Sequence, residues 1–271
     1  MQKIIFITGS SDGIGKQAAL ELAEKGNKVI LHGRSEERVI EAAKEIERKI
    51  KNADLDYFIF DLASQNEIKE GAEKIKSKYE KLDILINNAG TYSKERRLTE
   101  DGIEYTFAVN HLAPFLLTHE LFKLLEKSDS ARIINVSSMA HQSASFDFEN
   151  LQGEKSYGGY TAYALSKLGN LFFTYELAEK LSGTNITVNA LHPGVISTKL
   201  LYESFGGGGA KVEKGSETIV YLAITDEVKN INGRYFVSKS ETSSSSLSND
   251  KIKREKFWEI SKELTGINSY I

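Results

Sequence analysis

The chain of 271 residues contains no cysteine. Disulfides, thiolate catalysis, iron–sulfur clusters and cysteine-ligated zinc are thereby excluded. Proline is almost as scarce, with only Pro114 and Pro193 present, each where a helix start or a turn after a strand is expected. The five histidines, His32, His111, His119, His141 and His192, show no metal-ligand spacing. No apolar run approaches the ~20 residues of a membrane-spanning helix. The run within Met1–Gly9 is far shorter than a secretory segment and ends in a glycine-rich turn, so it reads as a first strand. Neither sign of charge prevails: 35 basic residues face 38 acidic ones for a net charge of -3, which leaves no electrostatic footprint for nucleic acid or an anionic membrane. A cytoplasmic protein with no nucleic-acid partner and no membrane anchor is the expectation.

What the chain does have is alternation. With 40% hydrophobic residues it is long enough for one large α/β domain over 1–271. Short apolar strands are expected at Lys3–Thr8, Lys28–Gly33, Asp56–Asp61, Leu82–Asn87, Arg132–Ser137, Thr187–His192 and Arg234–Val237. Helical patterns lie between them at Gly13–Lys25, Glu36–Lys51, Gln65–Tyr79, Glu104–Glu126, Tyr160–Leu181 and Lys214–Ala223. This predicts a doubly wound, mostly parallel, seven-stranded sheet with helices on both faces. Gly206–Gly209, inside a substrate-loop region at 196–213, reads as a hinge or lid or as a plain surface loop. Serine-rich Glu241–Asp250 reads as a loop, and Ile252, Phe257, Ile260 and Leu264 mark a last amphipathic helix at about 251–265 that docks on the domain or a partner.

Ligands of such sheets bind at the carboxyl ends of the strands. After the first strand stands Thr8-Gly9-Ser10-Ser11-Asp12-Gly13-Ile14-Gly15, a turn that opens a helix and can present backbone N–H groups and a positive helix end to phosphate. Its spacing is G-x-x-x-G-x-G rather than G-x-G-x-x-G, yet its place points to a dinucleotide. At the end of the second strand, His32-Gly33-Arg34-Ser35 has no acid for a ribose 2′-hydroxyl and has Arg34 for a 2′-phosphate. NADP(H) is therefore expected ahead of NAD(H). Further on, Tyr163 and Lys167 stand one helical turn apart, so a phenol and an ammonium can face one space. Tyr157 and Tyr160 have Thr161 and Ala164 at the same offset and so lack the cation.

These segments resemble the short-chain dehydrogenase/reductase family over nearly the whole chain. Thr8–Gly15 looks like its cofactor turn, Asn87-Asn88-Ala89-Gly90 like its fourth-strand signature, and Tyr163 and Lys167 occupy its catalytic positions. Asp61-Leu62 resembles the dipeptide that contacts adenine, and Pro193-Gly194-Val195 with Thr198 the segment that holds the nicotinamide carboxamide and a phosphate. Asn135–His141, Asn150–Lys155 and Glu217–Ala223 are similar to the retinol-dehydrogenase-like branch, which also includes the WW-domain-containing oxidoreductases. The 25 positions from Ser138 to Tyr163 match that branch's long insertion, while the amino-terminal hydrophobic anchor of several vertebrate members is missing.

The resemblance implies a Rossmann fold and an oxidoreductase that moves hydride between a nicotinamide and a carbonyl or alcohol, with a hydrophobic small-molecule substrate. Tyr163 would be the acid/base, and Lys167 would bond the nicotinamide ribose and lower the phenol's pKa. Ser138, ahead of Ser137, would orient the substrate oxygen, and Asn110 would support a water relay to the lysine. Homo-oligomers are common in the family. The other readings are a catalytically silent dinucleotide-binding sensor or scaffold, and a sugar-nucleotide epimerase or dehydratase. The fewer than eighty residues after Pro193 argue against the latter's larger carboxyl-terminal domain.

Overall fold

The computed structural model of the chain describes residues 2–270; the two terminal residues of the expected 1–271 span lie outside. Apolar β-rich segments form strands β1 (Ile4–Ile7), β2 (Lys28–Gly33), β3 (Leu55–Ile59), β4 (Ile84–Asn87), β5 (Ala131–Val136), β6 (Ile186–His192) and β7 (Tyr235–Val237). They lie in the order β3-β2-β1-β4-β5-β6-β7, every pair parallel. Each overlaps an expected strand. The central strands β4 and β5 are buried along their whole length, as a sheet covered on both faces requires.

Among the described residues the sheet has eight strands rather than seven. Ser240–Glu241 forms β8, a short antiparallel edge paired with β7, inside what reads as a serine-rich loop. The chain reverses through Ser238 and Lys239, both at positive φ (50° and 66°). Neither is a residue that announces such a turn, so the hairpin leaves no sequence signal.

Helices α1 (Gly13–Glu24) and α2 (Glu36–Lys49) cover one face together with α8 (Val212–Ile224), their Ala, Leu, Val and Ile stripes meeting the β1, β2 and β4 side chains of that face. Helices α3 (Gln65–Lys78), α5 (Ala113–Glu126) and α6 (Gly159–Lys180) cover the other. Side-chain caps start three of these helices: Asp12 accepts from Gly13 N–H, Ser35 from Arg38 N–H and Ser64 from Glu67 N–H.

Two stretches differ from expectation. The long helix read at Glu104–Glu126 begins as a short turn, α4 (Tyr105–Phe107), capped by the Glu104 carboxylate, and continues through a π-helical turn at Ala108–Leu112 into α5. Across that turn, Ala113 N–H bonds Ala108 O, five residues back. Within the 196–213 region a helix forms, α7 (Lys199–Phe205), capped by Thr198 and ended by Gly206 at φ 82°. The last helix, α9 (Lys251–Thr265), packs on α6 of the domain; its anchors are Phe257 and Trp258, and Ile252 is 79% exposed.

Candidate active site

The sheet order reverses at β1 and β4, whose connections run to opposite sides, so a crevice opens past their carboxyl ends. Its floor is the glycine turn after β1. Gly9 takes φ 63°, and a β-carbon there would stand 2.9 Å from Ala89 Cα; at Gly15 it would stand 2.4 Å from both Asn88 Nδ2 and Gly9 O. Only glycine lets the turn and the β4 segment approach so closely. Thr8 Oγ1 accepts from the N–H groups of Asn88 (3.0 Å) and Ala89 (3.1 Å), and Asn88 Nδ2 donates to Thr8 O (2.9 Å) and Gly9 O (3.2 Å).

His32 fixes the turn from the β2 side. Its Nε2 donates to Phe60 O (3.1 Å), so Nδ1 accepts from Gly9 N–H (3.2 Å), and burial lowers its pKa to about 4. Ser10 is fully buried beside it, its hydroxyl donating to Ile7 O and accepting from His32 N–H. Ser10 therefore braces the turn and does not line the cleft, in contrast to its expected part in cofactor contact.

The cleft above this floor has a volume of about 900 Å³. Apart from Ser10 and Asn110, every expected site residue lines it: Ser11, Gly13 and Ile14 of the turn, Arg34, Asp61 and Leu62 at one end, Asn88–Gly90, Ser138, Tyr163 and Lys167 at the other, and Pro193, Gly194, Val195 and Thr198 along the rim. Thr198 reaches the α1 amino terminus, where its Cγ2 would lie 3.5 Å from a β-carbon on Gly13. The long floor, the helix amino terminus and the arginine end fit an elongated dinucleotide.

At the far end, Tyr163 and Lys167 project from α6 as the spacing implies. Tyr163 is 8% exposed, and its phenol is hydrogen-bonded to Ser138. Lys167 Nζ lies 5.6 Å from the centre of the tyrosine ring and donates to Val136 O at 3.0 Å. Both Ser137 and Ser138 line the cleft, but the Ser137 hydroxyl is committed to Lys167 O (2.7 Å), whereas that of Ser138 meets the Tyr163 phenol. Ser138 is held in turn by His141, whose Nδ1 donates to Ser138 O (2.6 Å) while Nε2 accepts from Ser245 N–H (3.2 Å).

The expected lowering of the phenol's pKa is not what this geometry yields. Burial pushes the Tyr163 phenol up to about 12, against the opposing effect of its bond to Ser138, and burial pushes Lys167 down to about 8. Both groups are desolvated, and each resists its charged form.

Asn110 is buried behind the cleft wall. Its Oδ1 accepts from Thr91 N–H (2.7 Å), and its Nδ2 donates to Thr91 O (2.9 Å) and Ser166 Oγ (3.0 Å). The side chain clamps the segment after Gly90, where a β-carbon would stand 3.4 Å from Lys167 Nζ. Other lining residues went unnoticed in the sequence: Arg38, whose guanidinium pairs with Asp12 at 2.8 Å, together with Tyr92, Tyr105 and Met139 and residues of α7. Arg38 stands four positions after Arg34, in the first turn of α2, the signal that could have found it.

A parallel sheet with a glycine turn and a cleft at its switch point defines a dinucleotide-binding class of protein. Residues 3–206 match the short chain dehydrogenase family model, and the chain belongs to that family, in a branch with the retinol dehydrogenases. It is 38% identical to mouse (Mus musculus) retinol dehydrogenase 12, over 98% of this chain and 87% of that protein. Human (Homo sapiens) retinol dehydrogenase 13 is also 38% identical, over 98% of this chain and 86% of its own. Among solved structures, an uncharacterised protein from Mycobacterium paratuberculosis superposes with a TM-score of 0.82 at 28% identity, over 98% of this chain and 94% of that one. A short chain dehydrogenase from Escherichia coli CFT073, complexed with NADPH, gives 0.73 at 27% identity, over 88% and 97%. The protein is thus an oxidoreductase with a Rossmann-type nucleotide site. Among the described residues no helix is long and apolar enough to cross a membrane.

Proposed function

We propose that the protein reduces a carbonyl group on an apolar small molecule, or oxidises the matching alcohol, with NADP(H) preferred to NAD(H). The observation that carries this reading is the meeting of Tyr163, Ser138 and Lys167 at one end of a cleft whose other end holds Arg34 and Arg38. The nicotinamide, when bound, supplies or accepts the hydride.

The remaining chemistry belongs to the chain. Ser138 Oγ donates to the substrate oxygen and orients it. Tyr163, kept protonated near neutrality by its burial, passes its phenolic proton to that oxygen as the carbonyl carbon becomes tetrahedral. Lys167 keeps an ammonium beside the phenolate that this leaves, and Asn110 positions the Gly90–Thr91 wall against it.

Two features support an apolar substrate. Met139 (56% exposed) and Val195 (60%) bring large apolar side chains to the lining of the cleft. The relatives named retinol dehydrogenases act on an apolar alcohol. For the phosphorylated cofactor, the support is the arginine pair at the end of β2 and the start of α2, together with the NADPH complex of a structural neighbour.

A panel of aldehydes and ketones, followed by nicotinamide absorbance with NADPH and NADH in parallel, tests reaction class and cofactor together. Faster oxidation of NADPH with apolar carbonyls is the expected result. A preference for NADH overturns the cofactor reading. Tight dinucleotide binding with no turnover on any carbonyl or alcohol would instead make the protein a sensor.

A further inference from the structure

Arg34 leaves β2 with its side chain 65% exposed, and it is not held by an acid at close range. Its Nη1 donates to the Tyr105 hydroxyl at 2.9 Å, while the nearest carboxylate oxygen, Asp61 Oδ2, is 3.9 Å away. Arg38 is different, since Asp12 already engages it at 2.8 Å. Tyr105 is itself firmly placed. Its ring is 9% exposed, belongs to the core under α5, and carries the Arg97 guanidinium stacked 3.5 Å above its centre. Its backbone N–H is bonded to Arg97 O at 2.9 Å.

The hydroxyl of Tyr105 accepts from Arg34, and no acceptor for its own proton is present among the described residues. A rigid ring therefore brings a directed hydroxyl and a tethered guanidinium to the same end of the cleft, near the second stacked cation. Arginine carries roughly 2 kcal/mol of rotamer entropy, and a tether that removes part of it beforehand leaves less to lose on binding.

We propose that Tyr105 is a positioning residue for cofactor choice: its hydroxyl holds Arg34 ready for a 2′-phosphate and donates its own proton to that phosphate. The inference rests on the NADP(H) reading given above and deepens it by naming a residue 71 positions beyond Arg34 in the chain.

Tyr105→Phe tests it, because the ring and its stacking on Arg97 are kept and only the hydroxyl is lost. Calorimetric titration of both proteins with adenosine 2′,5′-bisphosphate and with 5′-AMP reads the phosphate contribution without turnover. The wild type is expected to bind the bisphosphate at least about ten-fold more tightly than 5′-AMP. Tyr105→Phe is expected to shrink that advantage by about three- to ten-fold and to leave 5′-AMP unchanged. An unchanged advantage overturns the proposal while the cofactor reading stands, and so does an equal loss for both ligands. A wild type that binds the two ligands equally overturns the cofactor reading and the proposal with it.

Discussion

Replacing Lys167 by methionine should make the protein more stable while removing its activity. The ammonium is 3% exposed, and burial alone accounts for its pKa falling from the ordinary 10.5 to about 8. A shift of that size corresponds to roughly 3 kcal/mol of penalty for carrying the charge in the folded state. Below pH 8 the lysine is charged in both states and the penalty is fully present; it fades as pH rises through the window from 8 to 10.5. Methionine fills a similar volume without the charge. The carbonyl that Lys167 bonds, Val136 O, also accepts from Asn170 Nδ2 at 3.2 Å, so it keeps a partner in the variant. Allowing for the lost hydrogen bond and imperfect packing, Lys167→Met is expected to gain about 1–3 kcal/mol at pH 7. That is a rise of about 2–10 °C in melting temperature for a chain of this size. Urea midpoints measured at pH 7 and pH 10 give the second reading, with the gain shrinking at the higher pH. A variant destabilised at pH 7, or a gain that does not change with pH, would refute the reasoning that this cation is held at a cost for the sake of chemistry.

Gly15→Ala places a β-carbon 2.4 Å from Asn88 Nδ2 and Gly9 O, neither of which can move without opening the turn. Overpacking of about 1–3 kcal/mol is expected, with dinucleotide affinity falling well beyond what the stability loss explains; unchanged binding by fluorescence would contradict the close-approach account. Burial holds His32 and His192 at about 4 and His111 at about 3, below the unfolded value of 6.5. Their folded states take up protons less readily, so stability is whole above about pH 6.5 and is lost as pH falls toward 4. His32 alone should cost about 2 kcal/mol between pH 7 and pH 5. Denaturant midpoints that stay flat over that interval would show that the glycine turn does not depend on a neutral imidazole.

Most of the scaffold could be read from the chain because its signals are local. Alternating apolar runs marked every parallel strand, and the helices expected from Gly13, Glu36 and Gln65 start at those residues. The features that escaped depend on tertiary structure or on brief elements. Nothing in Ala108–Leu112 reveals a π turn, which forms where α4 and the turn itself pack on α6. Helix α7 did carry a legible pair of ends, Thr198 and Gly206, but its seven residues are too few for a periodic pattern.

The site divided along the same line. Tyr163, Lys167 and Ser138 follow from spacing and resemblance, whereas Tyr105 reaches Arg34 across 71 positions and could be found only in three dimensions. Where the Ser10 hydroxyl goes is likewise invisible in the sequence: it donates to Ile7 O and accepts from His32 N–H. The sign of the tyrosine shift was missed for a related reason. A cation four residues away can be read from sequence, but the burial that dominates the upward shift cannot.

The central claim is that the Tyr163 phenol delivers the proton. It is tested most directly by comparing kcat of Tyr163→Phe with wild type on a carbonyl that the wild type reduces, with NADPH affinity measured by fluorescence in both. The account predicts a fall of about 10²–10⁴-fold in kcat with cofactor affinity essentially unchanged. Full turnover by Tyr163→Phe, with the cofactor bound, would contradict it.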